Sequence, residues 1–140
     1  MSNFKELLSD VLNDKGKSFE DLENANIICK RSFYQYKDFT PFLPKILEIA
    51  NFLEISLDYL ANRTTDNKFK KYKIPQTSFL ENLNKQLTIA SSSKFKLAKE
   101  LNLGRANFTY WKNGSMPKFT TLIEIANHLH CSIDDLLDHE

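Results

Sequence analysis

No carboxylate pair, nucleophile–base set or phosphate-cradling loop stands out in the 140 residues, so the chemistry on offer is recognition rather than bond making. It is concentrated in the stretch Leu97–Pro117, LAKELNLGRANFTYWKNGSMP. There Phe108 and Trp111 repeat at i, i+3 and pin one side of a short helix. Arg105, Ala106, Thr109 and Tyr110 are left on the other side, facing solvent with a guanidinium, a methyl group, a hydroxyl and a phenol.

That helix needs supports. Leu97, Ala98, Leu101 and Leu103 line one side of a preceding short helix and its exit, with the small Ala98 where a second helix can approach closely. Gly104 reads as the turn between the two helices, and Asn113-Gly114 as the end of the second. Two helices this short bury too little to stand alone, so flanking helices must hold them.

The bounds set by composition agree with a helical protein: three Gly, four Pro and a net charge of +1. No apolar run approaches the ~20 residues of a membrane span, and MSNFKELLSD is amphipathic and acidic, unlike a signal segment. A cytoplasmic location with no membrane association is expected. Cys29 and Cys131 have no CxxC or Cys/His cluster near them and read as reduced thiols. His128, His130 and His139, with Cys131 and Asp134, lack a second ligand pair at metal spacing, so neither a metal nor another cofactor is expected.

The chain repeats itself. A shift of 75 residues superposes Phe4 on Phe79, Leu8 on Leu83, Leu12 on Leu87, Ser18 on Ser93, Leu22 on Leu97 and Phe33 on Phe108. A shift of 76 then superposes Pro41 on Pro117, Glu48-Ile49-Ala50-Asn51 on Glu124-Ile125-Ala126-Asn127, and Ser56, Asp58 and Leu60 on Ser132, Asp134 and Leu136. The one-residue difference falls where a loop absorbs it. The reading is a tandem of residues 1–62 and 79–140, joined by a linker at 63–78 that lacks periodicity and carries Pro75.

Each copy reads as five helices. In the first they are roughly 3–15, 19–26, 30–38, 42–53 and 57–62, and in the second 79–88, 94–102, 105–113, 119–129 and 133–139. Ser18, Ser93 and Ser132 are natural N-caps. Charge is uneven: residues 1–62 carry seven Lys/Arg against ten Asp/Glu, the linker five against one, and residues 79–140 seven against seven. Lys70 and Lys71 in the linker, flanked by Lys68 and Lys73, are read either as solvated charge or as contacts to a nucleic-acid backbone.

The series Ser93-Lys94-Phe95-Lys96-Leu97-Ala98, Leu101-x-Leu103-x-Arg105, Trp111-Lys112-Asn113-Gly114 and Ile125-Ala126-x-x-Leu129-x-x-Ser132-x-Asp134-x-Leu136 resembles the Xre/Cro family of helix-turn-helix DNA-binding domains. The first copy resembles it well in its tail, Ile49-Ala50 to Leu60, and less well in the helix-turn-helix. The resemblance implies an all-α fold of two lambda-repressor-like five-helix domains in tandem. It also implies base contacts from Arg105, Ala106, Asn107, Thr109 and Tyr110 in the major groove, and phosphate contacts from Lys94, Gly104, Asn113 and Lys118. Arg105 is the leading candidate, since a guanidinium can bond guanine O6 and N7 together. Lys94 departs from the family, which usually has Gln there.

In the first copy Lys30, Arg31 and Gln35 take the groove-facing positions, with Phe33 and Tyr36 turned inward. Glu23 replaces Ala98, and Phe19, Glu20 and Asp21 replace the cationic helix start, acids that favour the helix dipole but repel DNA. Two functions follow. One is a sequence-specific double-stranded DNA-binding regulator, a repressor acting by occupying a promoter. The other is a protein-binding module on the same scaffold, an antitoxin, anti-repressor or inhibitor that meets its partner through residues 1–62. An extended sixteen-residue linker reaches about 50 Å, enough to join two half-sites ~34 Å apart. A homodimer on a palindrome serves equally well.

Overall fold

The computed structural model describes residues 4–29, 31 and 41–140. Among these the regular structure is helical, with eight α-helices, one 3₁₀ turn, an isolated antiparallel bridge and no strand. The chain divides into two compact units, Met1–Lys71 and Tyr72–Glu140.

The first unit contains α1 (Phe4–Asp14), α2 (Phe19–Asn24), α3 (Leu43–Leu53) and α4 (Leu57–Leu60). α1 turns Phe4, Leu8, Val11 and Leu12 inward and is followed by Gly16 at φ +64, a conformation that glycine adopts without strain. At the start of α2 the Asp21 carboxylate accepts from the Ser18 N–H at 2.7 Å. α3 carries a proline in its first turn, where an N–H would have no helical partner, and buries Leu43, Ile46, Leu47, Ile49, Ala50 and Leu53. Ser56 caps α4, its Oγ accepting from the Tyr59 N–H at 3.1 Å. The expected helix at 30–38 lies outside the described residues, apart from the exposed Arg31.

The second unit contains α5 (Phe79–Ile89), α6 (Lys94–Leu101), α7 (Arg105–Lys112), α8 (Phe119–Leu129) and a 3₁₀ turn at Asp134–Leu136. The four helices lie within one residue of the expected bounds. Helix positions recur as the sequence does: α1 and α5 each have 11 residues and start 75 apart, and α3 and α8 each have 11 residues and start 76 apart. Both α3 and α8 end on a left-handed residue, Glu54 and His130 respectively. Leu83, Leu97, Leu122, Ile125 and Ala126 are fully buried at the centre of the unit.

The fold departs from expectation at two places. The helix expected at 133–139 is only the short 3₁₀ turn, after which Leu137 is extended and His139 forms the antiparallel bridge with Tyr72. The backbone groups that a helix would use are taken from outside: the Asp138 N–H donates to Gln76 Oε1 at 2.6 Å, and its carbonyl accepts from the Lys73 N–H at 3.1 Å and Gln76 Nε2 at 2.9 Å.

The segment 63–78 is the other departure. Arg63 pairs with Asp58, and the Asn67 amide bridges the Ser56 N–H and the Glu54 carbonyl, both at 2.9 Å, so this end is built into the first unit. Tyr72 is fully buried, with its hydroxyl donating to Asp134, and Gln76 is buried beside it in the second unit. The segment expected as a linker is thus folded at one end into the first unit and at the other into the second.

Candidate nucleic-acid interface

The face built by α6 and α7 starts at Ser93, whose Oγ accepts from the Lys96 N–H at 3.2 Å and caps α6. Lys94, Phe95 and Lys96 are exposed around that first turn, at the positive end of the helix dipole. α6 ends on Asn102 in the left-handed conformation, φ +55, and the Leu103 N–H donates to the Ala98 carbonyl at 2.8 Å. The tight turn expected at Gly104 is therefore made by Asn102. Gly104 has an ordinary φ of −79 and serves as the N-cap of α7 without a side chain to cover the helix end.

Trp111 anchors α7. It is 6% exposed and packs edge-on against Phe79 of α5 at 5.3 Å and against Phe108 at 5.1 Å. Phe108, expected in the core, is half-buried on the flank of this cluster. With that side pinned, Arg105, Ala106, Thr109 and Tyr110 are exposed. Asn107 is half-buried and lines a cleft of about 390 Å³ together with Tyr110, Ser115, Lys118 and Thr121. Gly114 at φ +101 lets the chain leave α7, and the Ser115 N–H closes the exit on the Tyr110 carbonyl at 2.9 Å.

Lys94, Gly104, Asn113 and Lys118 are exposed, with Lys118 at the N-cap of α8. Lys70 and Lys71 are exposed in the first unit. Lys30 and Gln35 lie outside the described residues. Two hydroxyls of the cleft, Ser115 and Thr121, escaped the sequence reading. Their signal is only that small polar residues follow the W-x-N-G end of a short helix.

A second missed signal is the order of charges within the electrically balanced second copy. Residues 85–118 hold seven Lys/Arg and one acid, Glu100, whereas Asp134, Asp135, Asp138 and Glu140 gather at the C-terminal end. All seven of those cations are exposed. The zero sum conceals a cationic stretch that includes the helix-turn-helix, the sign that a polyanion requires.

Residues 82–140 match the family model of the Cro/C1-type HTH DNA-binding domain. The matched residues all lie in the second unit, and the match supports an Xre/Cro-like helix-turn-helix there and a DNA-binding regulator in general. No curated protein and no solved structure matches the chain significantly. Among the described residues, no helix is long and apolar enough to cross a membrane.

Proposed function

We propose that the protein is a cytoplasmic, sequence-specific double-stranded DNA-binding transcriptional regulator that represses by occupying a promoter. The observation that carries the reading is the outward set Arg105, Ala106, Thr109 and Tyr110 on a helix pinned by Trp111, inside a cationic stretch matching a Cro/C1-type domain. In this reading α7 enters the major groove. Arg105 bonds a guanine edge, Ala106 meets a thymine methyl, and Asn107 and Thr109 contribute hydrogen bonds while Tyr110 borders the groove. Lys94, Gly104, Asn113 and Lys118 hold the flanking phosphates. Lys70 and Lys71 add backbone contacts, and the first unit is a second, divergent domain of the same type, whose reading residues are Lys30, Arg31 and Gln35. Selection of duplexes from a random pool, followed by affinity against salt, tests this: an enriched motif and a steep salt slope are expected, and their joint absence overturns it.

One observation favours a second reading for residues 1–62. At the position that the 76-residue offset pairs with Lys118, the first unit has Phe42, 88% exposed. Together with Asp21, which the 75-residue offset pairs with Lys96, it replaces cations by an apolar ring and an acid, a composition suited to a protein surface. Co-purification of a stoichiometric protein partner, with no DNA shift at low salt, decides for this reading.

A further inference from the structure

The seven residues Tyr72–Ser78 and the C-terminal residues Asp134–His139 form a clamp that the DNA-binding reading does not use. Tyr72 is fully buried, its ring 4.8 Å from that of His139 and its hydroxyl bonded to Asp134. Gln76 is buried and bonds both the N–H and the carbonyl of Asp138. The Asp138 carboxylate closes the clamp. Oδ2 accepts from the backbone N–H groups of Thr77 at 3.1 Å and Ser78 at 2.9 Å, and Oδ1 accepts from Asn82 Nδ2 at 3.0 Å.

These bonds converge on the start of α5. Ser78 and Asn82 flank Phe79 on the helix, and Phe79 is the ring against which Trp111 of α7 packs at 5.3 Å and 90°. The same carboxylate thus fixes the residue before Phe79 and the residue one turn after it. We propose that Asp138, with the arm Tyr72–Ser78, is a positioning element of the DNA-reading unit, setting the seat of α7 through Phe79 and Trp111. A ring edge packed at van der Waals distance transmits a displacement directly, because a close-packed contact has no slack to absorb it. The functional half of this inference rests on the DNA-binding reading; the structural half does not.

The sole tryptophan of the chain is Trp111, so its fluorescence reports this seat without DNA. Asp138→Ala in the full chain is compared with Arg105→Ala. At a temperature where far-UV circular dichroism shows native helix content, Asp138→Ala is expected to shift Trp111 emission to longer wavelength. Affinity for the selected duplex should fall as well, because α7 no longer keeps its seat. Arg105→Ala is expected to weaken binding with emission unchanged. Rescue separates positioning from bulk stability: Asn82→Asp sets two carboxylates face to face, and adding Asp138→Asn restores a donor–acceptor pair across that contact, though not the bond from Asn82 to the Leu136 carbonyl at 3.3 Å, with partial return of the emission maximum. If Asp138→Ala fails to fold, the Asn82→Asp and double-variant comparison decides. Unchanged emission in folded Asp138→Ala, or in Asn82→Asp, overturns the proposal, as does a double variant no closer to wild type than Asn82→Asp. If the unaltered protein binds no duplex, the DNA-binding reading fails, and Trp111 emission alone judges the clamp.

Discussion

Replacing Arg105 by alanine tests the candidate interface most directly, because its effects on stability and on recognition separate. Arg105 is exposed in the first turn of α7, and nothing among the described residues pairs with it. Alanine is at least as good a helix former, so the folded protein should change by less than about 0.5 kcal/mol. A bidentate guanidinium–guanine contact is worth ~1–3 kcal/mol of discrimination, which is roughly 5- to 150-fold at one base pair. The assay measures affinity for the selected duplex and for its single-base-pair variants, beside thermal melting of the free protein. The expected pattern is an unchanged melting temperature and a loss of preference confined to one position. Equal weakening on every duplex would reassign Arg105 to the phosphate backbone. No change at all would remove α7 from the groove.

Other substitutions probe the parts that support this face. Lys94→Ala, at the exposed start of α6, is expected to weaken all duplexes alike and to lower the logarithmic salt slope by about one in a salt titration. Leu97→Ala empties a fully buried site and should cost ~3–5 kcal/mol in a urea melt, with helix content retained below the transition. Ser93→Ala removes the hydroxyl that accepts the Lys96 N–H and should cost ~1 kcal/mol in the same measurement. Burial pushes the Asp138 carboxyl up, but the hydrogen bonds from Asn82, Thr77 and Ser78 and the charge of Lys73 outweigh it and hold the group below the ordinary carboxylate value. A carboxylate depressed in the folded state adds stability above its unfolded pKa and loses it as the pH falls through the folded value. Stability followed by Trp111 fluorescence should therefore decline on acidification below about pH 4, and less steeply in Asp138→Asn.

Much of the second unit was legible in the chain because its information is local. Apolar spacing, serine caps and the W-x-N-G exit are properties of neighbouring residues, so helices 79–88, 94–102, 105–113 and 119–129 were placed to within a residue. The outward set on α7 followed from the two aromatics that pin it. The 75- and 76-residue offsets found by sliding the sequence against itself reappear in the starts of α1 and α5 and of α3 and α8.

Residues that act at a distance were not legible. Phe108 keeps helical spacing with Trp111, yet Trp111 is buried with its ring against Phe79 while Phe108 is half-buried beside it. Asn102 takes the left-handed turn that Gly104 was expected to make, because the backbone of α6 ends one residue earlier. The lysines at 68–73 read as an unstructured basic run, but a buried tyrosine and glutamine within 72–78 have partners about sixty residues away. Pairings of that separation leave no periodic trace. The sequence by itself determined the first four helices of the second unit and the composition of the cationic stretch that holds α6 and α7, since each depends on spacing along the chain. Tertiary structure alone decided where the linker stops and the domain begins, because burial and hydrogen bonding between Tyr72–Ser78 and the C-terminal residues exist only once the chain has folded back on itself.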